Sequence, residues 1–287
     1  MFSKIRHLLE MIKFSHTIFA FPFALMGATL ASLANGQPPT AAQIGWICLA
    51  MVGARNAAMG LNRIIDARID AENPRTAGRQ IPAGIISRQE AWIFVAGSTL
   101  LLLVAAWQLN PLCFYLSPLV LAFFILYAYC KRFTSLAHIV LGICLAGAPL
   151  GAWIALRSTV EWPIFALALA VLFWVAGFDI FYALQDLDFD RKQGLHSIPV
   201  RLGEKGAILL GKVLHGLMVG LLLLIPQGLP LGMIYYAGIG VISLMIAWEH
   251  HLVKPGDLSK LDAAFFNMNG YISVTIFCFT LADVLIK

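Results

Sequence analysis

Long apolar runs, interrupted by short loops that carry most of the charge, recur from one end of this chain to the other. A helix needs roughly 20 apolar residues to cross a bilayer, and nine stretches approach that length. They cover residues 16–34, 43–65, 91–109, 111–130, 136–156, 163–185, 207–225, 231–248 and 265–286. With 60% hydrophobic and 12% charged residues, the chain has half the charge of a soluble domain, which carries about 25%. The fold class expected is therefore all-α, a polytopic membrane protein of nine transmembrane helices. Lys4, Arg6, Glu10 and Lys13 precede the first run, and no small-residue cleavage site follows a short apolar core. That run is expected to be retained as a helix.

The Lys and Arg residues test this count, because they collect in cytoplasmic loops. With the N-terminus inside, Lys4, Arg6 and Lys13 are cytoplasmic, as are Arg63, Arg68, Arg75, Arg79 and Arg88. Lys131, Arg132, Arg191, Lys192, Arg201, Lys205, Lys254 and Lys260 fall on the same side, leaving Arg157 and Lys287 opposite. The net charge of +5 is thus a matter of topology, and no nucleic-acid partner is expected. The five cysteines (Cys48, Cys113, Cys130, Cys144, Cys278) are scattered through apolar runs without paired spacing, so packing is their expected role.

Polar residues near the ends of two of these runs break the apolar pattern. Asn62, Asp66 and Asp70 stand at i, i+4 and i+8, positions that lie along one face of an α-helix. The pattern returns as Tyr182, Asp186 and Asp190, with Asp179 and Asp188 close by. Four spans separate the two copies, so residues 1–287 read as one domain of two parallel four-helix halves plus a ninth helix. Repeats of this kind build a site at their interface. Carboxylates at a membrane boundary are expensive and usually functional, and clustered like charges call for a cation. Mg²⁺ takes one or two carboxylates together with substrate phosphate oxygens. Arg75 and Arg79 follow the first acidic segment and Arg191 and Lys192 the second, as a diphosphate would require. No P-loop or dinucleotide fingerprint is present. A Mg²⁺–diphosphate site opening into an apolar bundle suits an amphiphile with a diphosphate head and a hydrocarbon tail. An allylic diphosphate would ionise there to a carbocation that an aromatic ring attacks.

These residues resemble a known family. Asn62-x-x-x-Asp66-x-x-x-Asp70 with Arg75-Thr76-x-x-Arg79 and Pro82-x-Gly84 is similar to the first signature of the UbiA-type membrane prenyltransferases. Tyr182-x-x-x-Asp186-x-x-x-Asp190 with Lys192, Gly194 and Ser197-Ile198-Pro199 resembles the second. Arg55 and Tyr127-x-x-x-Lys131-Arg132 agree as well. The resemblance implies a nine-helix bundle around a central cavity, capped by cytoplasmic loops. It implies Mg²⁺ at Asn62, Asp66, Asp70, Asp186 and Asp190, diphosphate at Arg75, Arg79, Lys131 and Lys192, and a pocket shaped by Arg55 and Tyr182. It further implies transfer of a polyprenyl chain from polyprenyl diphosphate to a 4-hydroxybenzoate-like aromatic acid in ubiquinone or menaquinone biosynthesis, at a bacterial inner membrane and without an obligate protein partner.

Arg63 stands where many relatives carry Asp, and with Asn73–Arg79 it resembles a menaquinone branch whose acceptor is 1,4-dihydroxy-6-naphthoate; a porphyrin-type ring is a further alternative. At 100° per residue Arg63 is expected to point off the Asn/Asp face. Outside enzymology, the competing reading is a secondary transporter with intramembrane acids, although the acids sit at helix ends and not near the midplane. His16 and the pair His250-His251 are expected to be helix-end residues, and Asp283 to face the outer interface. His196 falls in the second loop, and Asn267 and Asn269 suit either interhelical hydrogen bonds or substrate contact.

Overall fold

In lipid, every backbone polar group must be satisfied within the protein, and among the described residues this chain does so with helices alone. The computed structural model describes residues 2–12, 20–252 and 261–286, with the side chains of residues 2, 3, 5 and 261–267 left aside. The elements are α1 (Phe2–Met11), α2 (Phe21–Asn35), α3 (Ala41–Glu72), α4 (Arg88–Leu109), α5 (Pro111–Cys130) and α6 (Ala137–Arg157). There follow α7 (Trp162–Ala183), a 3₁₀ turn (Leu184–Asp186), α8 (Leu187–Lys192), α9 (Ile198–Leu224), α10 (Met233–Leu252) and α11 (Leu261–Ile286).

Eight stretches are long and apolar enough to cross a membrane, α7 and α8 counting as one, and α2 is a ninth, shorter apolar helix of 15 residues. The expected count of nine is therefore approximate. Expected His16, Lys13, Lys254, Lys260 and Lys287 and the Asn267 side chain lie outside the description. Two elements differ from expectation in ways that matter for function. Helix α3 continues to Glu72, through the whole Asn62–Asp70 motif, because Thr40 and Gln43 cap its start reciprocally and nothing before Asn73 breaks it. The second motif, by contrast, is not one helix: Tyr182 belongs to α7, Asp186 to the 3₁₀ turn and Asp190 to α8. The tighter turn changes the phase of the side chains, so the i, i+4, i+8 stack applies to the first copy only.

Helices approach closely where side chains are small. A Cβ on Gly27 of α2 would lie 2.3 Å from the Pro149 carbonyl oxygen of α6, and one on Gly53 of α3 would lie 2.7 Å from the Leu102 backbone nitrogen of α4. The largest apolar cluster joins α2, α6, α7, α9, α10 and α11 through residues such as Phe23, Trp153, Trp174, Met218, Tyr235 and Ile276. A second cluster packs Met11 and Ile12, at the end of α1, against Leu61 and Ile64 of α3, the loop residues Ile81 and Ile86, and Phe124 of α5. The packing of α7 against α6 and α9 and of α3 against α4 and α5 leaves space between the two groups.

Two polar residues depart from the expected interfacial positions. His250 is half-buried, its Nε2 3.1 Å from Nδ1 of the fully buried His215. Asp283 is buried, at 2% exposure, and accepts hydrogen bonds from the Gly232 and Tyr235 backbone N–H groups at 2.7 and 3.3 Å. It therefore supplies from α11 the anionic cap that the start of α10 lacks in its own sequence. Replacing Asp283 with Ala strands those donors in a medium without water. Unfolding in detergent is expected at a clearly lower temperature, a loss of about 2 kcal/mol, and Asp283→Asn is expected to fall between the two.

Candidate active site

The space between the helices is a cavity of about 750 Å³ lined chiefly by α3, α5, α6 and α7. Its wall on α3 reads Ala50, Ala54, Ala58, Asn62, Asp66, Asp70, every fourth residue of one helix. Three methyl-sized side chains leave room, and the next three positions supply an amide and two carboxylates. Leu109, Cys113, Ile154 and Phe165 line the opposite end of the cavity. These sit at the ends of α4 through α7 farthest from the acidic motifs, so the apolar part runs much of the bundle's height.

Asp66 and Asp70 are each 4% exposed, and a carboxylate so buried needs a partner. Asp66 has three. Lys131 Nζ lies 2.6 Å from its Oδ2, Arg132 Nη2 donates to Oδ1 at 3.1 Å, and Asn62 Nδ2 donates to Oδ2 at 3.1 Å. Arg132 also donates to the Ile65 and Ala128 carbonyls, which locks α5 to α3. Asp70 takes both of its contacts from Arg79 Nη1, at 2.7 Å to each oxygen. Thr76 Oγ1 donates to the Asp70 carbonyl at 2.9 Å, fixing the loop that carries Arg79.

Asp186 is held from the other half of the chain. Arg75 grips it in a two-pronged pair, Nε to Oδ1 at 2.8 Å and Nη2 to Oδ2, and Asn73 Nδ2 adds a third bond at 2.9 Å. Arg75 Nη1 donates to the Tyr182 hydroxyl at 2.8 Å while its guanidinium lies over the Tyr182 ring, 5.1 Å from the centroid. Burial alone would lower the Arg75 pKa, but the hydrogen bonds to Asp186 reverse the sign and raise it. Arg75 is a fixed cation. Asp190 lines the same cavity and takes a hydrogen bond from Ser197. Its backbone carbonyl accepts from Leu195 N–H at 2.9 Å, and the His196 N–H donates to the Lys131 carbonyl at 2.8 Å. The α8–α9 connection is thereby tied to the end of α5.

Most of the expected site residues thus meet in one place. Asn62, Asp66, Asp70, Asp186, Asp190, Arg55, Arg75, Arg79, Lys131 and Tyr182 all line the cavity. Lys192 does not; it is exposed on α8. Arg63 departs from its expected direction. It is 7% exposed, lines the cavity beside the acids, and donates from Nε to the Met11 carbonyl at 3.2 Å. Arg55 Nη1 donates likewise to the Ile12 carbonyl at 3.2 Å, so the end of α1 closes over two arginines of the wall. Asn73 and Arg132 join the acid network without having been assigned to it; each lies one or two residues from a recognised motif residue. His138 and Asp179 also face the cavity, from helices whose sequence gives no sign that they meet.

Among the described residues, no three His, Cys, Asp or Glu side chains converge as ligands for one ion. The arrangement is instead a ring of carboxylates above an apolar shaft, with Asp66, Asp70 and Asp186 neutralised by basic residues from the end of α5 and the loop after α3. Chemically it can accept a multivalent anion together with divalent cations, and it can hold a long hydrocarbon beneath them.

The UbiA prenyltransferase family matches residues 20–271 of this chain, a stretch that contains both acidic motifs. A 4-hydroxybenzoate octaprenyltransferase from Vibrio cholerae is 31% identical over 225 residues, covering 77% of this chain and 78% of that protein. The apo structure of a UbiA homolog from Aeropyrum pernix aligns with a TM-score of 0.84 at 35% identity, over 94% of this chain and 98% of that one. A UbiA homolog from Archaeoglobus fulgidus, bound to DMAPP and Mg²⁺, has the same fold, with a TM-score of 0.73 at 18% identity over 98% and 99% of the two chains. With these matches and its membrane-length apolar helices, the chain is an integral membrane protein of the UbiA prenyltransferase family.

Proposed function

We propose that this protein transfers a polyprenyl chain from polyprenyl diphosphate to a hydroxylated aromatic acid of the 4-hydroxybenzoate kind, releasing diphosphate, in ubiquinone or menaquinone biosynthesis. The observation that carries this reading is the α3 stripe, small apolar residues running into Asn62, Asp66 and Asp70 along one wall. It matches a lipid tail joined to a charged head. The name of the Vibrio cholerae relative supports the acceptor class. The transporter alternative loses its support with membership of a prenyltransferase family. Arg63, buried in the wall beside Arg55, keeps 1,4-dihydroxy-6-naphthoate as a second acceptor, since either cation can meet the carboxylate of that larger ring.

Mg²⁺ fits the donor set. The set is all oxygen, and an ion that takes one or two carboxylates plus phosphate oxygens needs no complete protein cage. Asn62, Asp66, Asp70, Asp186 and Asp190 would hold it together with the diphosphate, and bound there it neutralises the leaving group. Arg75, Arg79 and Lys131 then turn from the carboxylates to the diphosphate oxygens. Lys192, outside the lining, draws the anion toward the mouth. Tyr182 keeps Arg75 in place, and the aromatic acceptor attacks the allylic carbon, so no protein nucleophile is required. The basic residues gather at the acidic ends of α3 and α7, which by the positive-inside rule supports a mouth and an N-terminus on the cytoplasmic side, here of a bacterial inner membrane. The chain acts as one domain of two parallel halves plus a last helix.

Purified protein in lipid, with Mg²⁺ and a polyprenyl diphosphate, is expected to release diphosphate when 4-hydroxybenzoate or 1,4-dihydroxy-6-naphthoate is added in separate reactions. The productive reaction names the acceptor. Asp66→Ala and Asp186→Ala are each expected to lower that release by roughly 10²–10³-fold, and undiminished rates in both would refute the proposed metal site. Arg75→Lys removes the two-pronged grip but keeps the charge. It is expected to raise the KM for the prenyl diphosphate by roughly tenfold with a smaller change in the KM for the acceptor.

A further inference from the structure

Prenylation of an aromatic ring ends with the loss of a ring proton. Asp66, Asp70 and Asp186 are each committed to a basic residue, and Asp190, on α8, lies beyond Asp186 along the second motif, at the diphosphate end of the cavity. His138, in the first turn of α6, and Asp179, in α7, form a pair on the cavity wall that the diphosphate site does not use. His138 Nδ1 lies 2.7 Å from Asp179 Oδ2, with the two side chains 6% and 19% exposed. The Ile198 backbone N–H points at His138 Nε2, 3.4 Å away. An N–H only donates, so Nε2 carries the lone pair and Nδ1 the proton, which goes to Asp179. Both ring nitrogens are therefore occupied. His138 is a neutral support, and the group left with accepting capacity is the carboxylate, whose Oδ1 has no hydrogen-bond partner among the described residues.

The position along α7 suits the chemistry. Asp179, Tyr182 and Asp186 stand at i, i+3 and i+7 and all line the cavity. The last turn of α7 and the 3₁₀ turn after it put Asp179 on the order of 10 Å farther from the mouth than Asp186. A diphosphate held at Asp66 and Asp186 extends its allylic carbon in that direction, and the acceptor ring must meet that carbon from beside it.

Resting on the prenyl-transfer reading, we propose that Asp179 accepts the ring proton of the prenylated acceptor, and that His138 is the positioning residue that holds Asp179 for this step. The C–O bond between the allylic carbon and the diphosphate breaks, and both electrons leave with the diphosphate. A π pair of the phenolic ring forms the new C–C bond. The hydrogen on that ring carbon then passes to Asp179 Oδ1 as a proton, and the C–H pair restores the aromatic ring. Neutral Asp179 returns the proton to water or to the departing diphosphate.

The test compares product formation with diphosphate release, using 4-hydroxybenzoate or 1,4-dihydroxy-6-naphthoate, whichever the wild type turns over, in ordinary and ring-deuterated forms. In Asp179→Asn, C-prenylated product is expected to fall roughly 10²–10⁴-fold, the usual contribution of a positioned acid–base group. Diphosphate release is expected to fall much less, the prenyl cation being captured by water as the alcohol. The residual product is expected to form with a ring-deuterium isotope effect of roughly 2 or more, against about 1 in wild type, as proton removal becomes limiting. His138→Phe is expected to behave in the same way, and His138→Asn, whose amide N–H replaces Nδ1–H, to recover most of the product and the small isotope effect. Product within about threefold of wild type in Asp179→Asn, or product and diphosphate falling together with no isotope effect, overturns the proposal. A misfolded variant is recognised by loss of the thermal stabilisation that polyprenyl diphosphate with Mg²⁺ gives the wild type. Failure of the underlying reading is distinct, since it appears as unchanged diphosphate release in Asp66→Ala and Asp186→Ala.

Discussion

Charge neutralisation of carboxylates at the ends of two membrane helices is what the mouth of this protein depends on. Asp66 and Asp70 are almost without solvent, and an ion moved into such surroundings is destabilised by several kcal/mol unless matched. The matches come from other parts of the chain: Lys131 and Arg132 from the end of α5, Arg79 from the loop after α3, and Arg75 reaching across to Asp186. Each ion pair therefore doubles as a tertiary contact. The segment 73–87 cannot leave the mouth without exposing Asp70 and Asp186, and α5 cannot shift without uncovering Asp66. The loop after α3 is ordered by the acids it neutralises, which explains why basic residues follow acidic ones in the first copy of the motif; Arg191 and Lys192, after the second, are exposed.

The same dependence prepares the site for an anionic substrate. In the proposed reaction, cations already assembled around carboxylates would need little reorganisation to meet a diphosphate accompanied by divalent ions. A ring made of basic residues alone would repel itself, and a ring of carboxylates alone would do the same. Interleaving the two stabilises the resting state and keeps both sets of partners within reach. Tyr182 contributes by fixing Arg75 through its hydroxyl and its ring face, which orients the guanidinium without adding charge.

Features that repeat along a single element were legible in the sequence. The apolar spans follow from composition and length, and the Asn62–Asp66–Asp70 face from helical spacing, because α3 is continuous through it. Features that depend on two distant elements were not. The break between Tyr182 and Asp190 is a 3₁₀ turn in a stretch with neither Gly nor Pro, so no local signal announces it. Helix geometry alone directs Arg63 off the Asn/Asp face, but the end of α1 folds over it and gives it the Met11 carbonyl as partner. Asp283 looked interfacial because it lies near the end of its helix, and its role emerges only when α10 starts opposite it without a cap of its own. The i+4 alternation of Ala50, Ala54 and Ala58 ahead of Asn62 was present in the sequence, and it acquires meaning once those alanines are known to line a space and not a helix contact.

The walls of that space are graded along their length. On α3 the order from the interior outward is alanine, amide, carboxylate; on α7 it is apolar residues, then Asp179, then Tyr182, with Asp186 in the 3₁₀ turn that follows. The proposed substrate, laid along both walls, would have its tail among methyl groups, its reacting carbon at the level of Asp179 and its leaving group at the level of the ion pairs. Departure of the diphosphate needs concentrated positive charge, whereas removal of a ring proton needs a carboxylate that no cation has neutralised. One carboxylate cannot serve both demands, since the cation that would make it a good anchor would make it a poor base. The last turn of α7 and the 3₁₀ turn after it let this bundle keep an acid paired to a neutral histidine apart from acids paired to arginine and lysine.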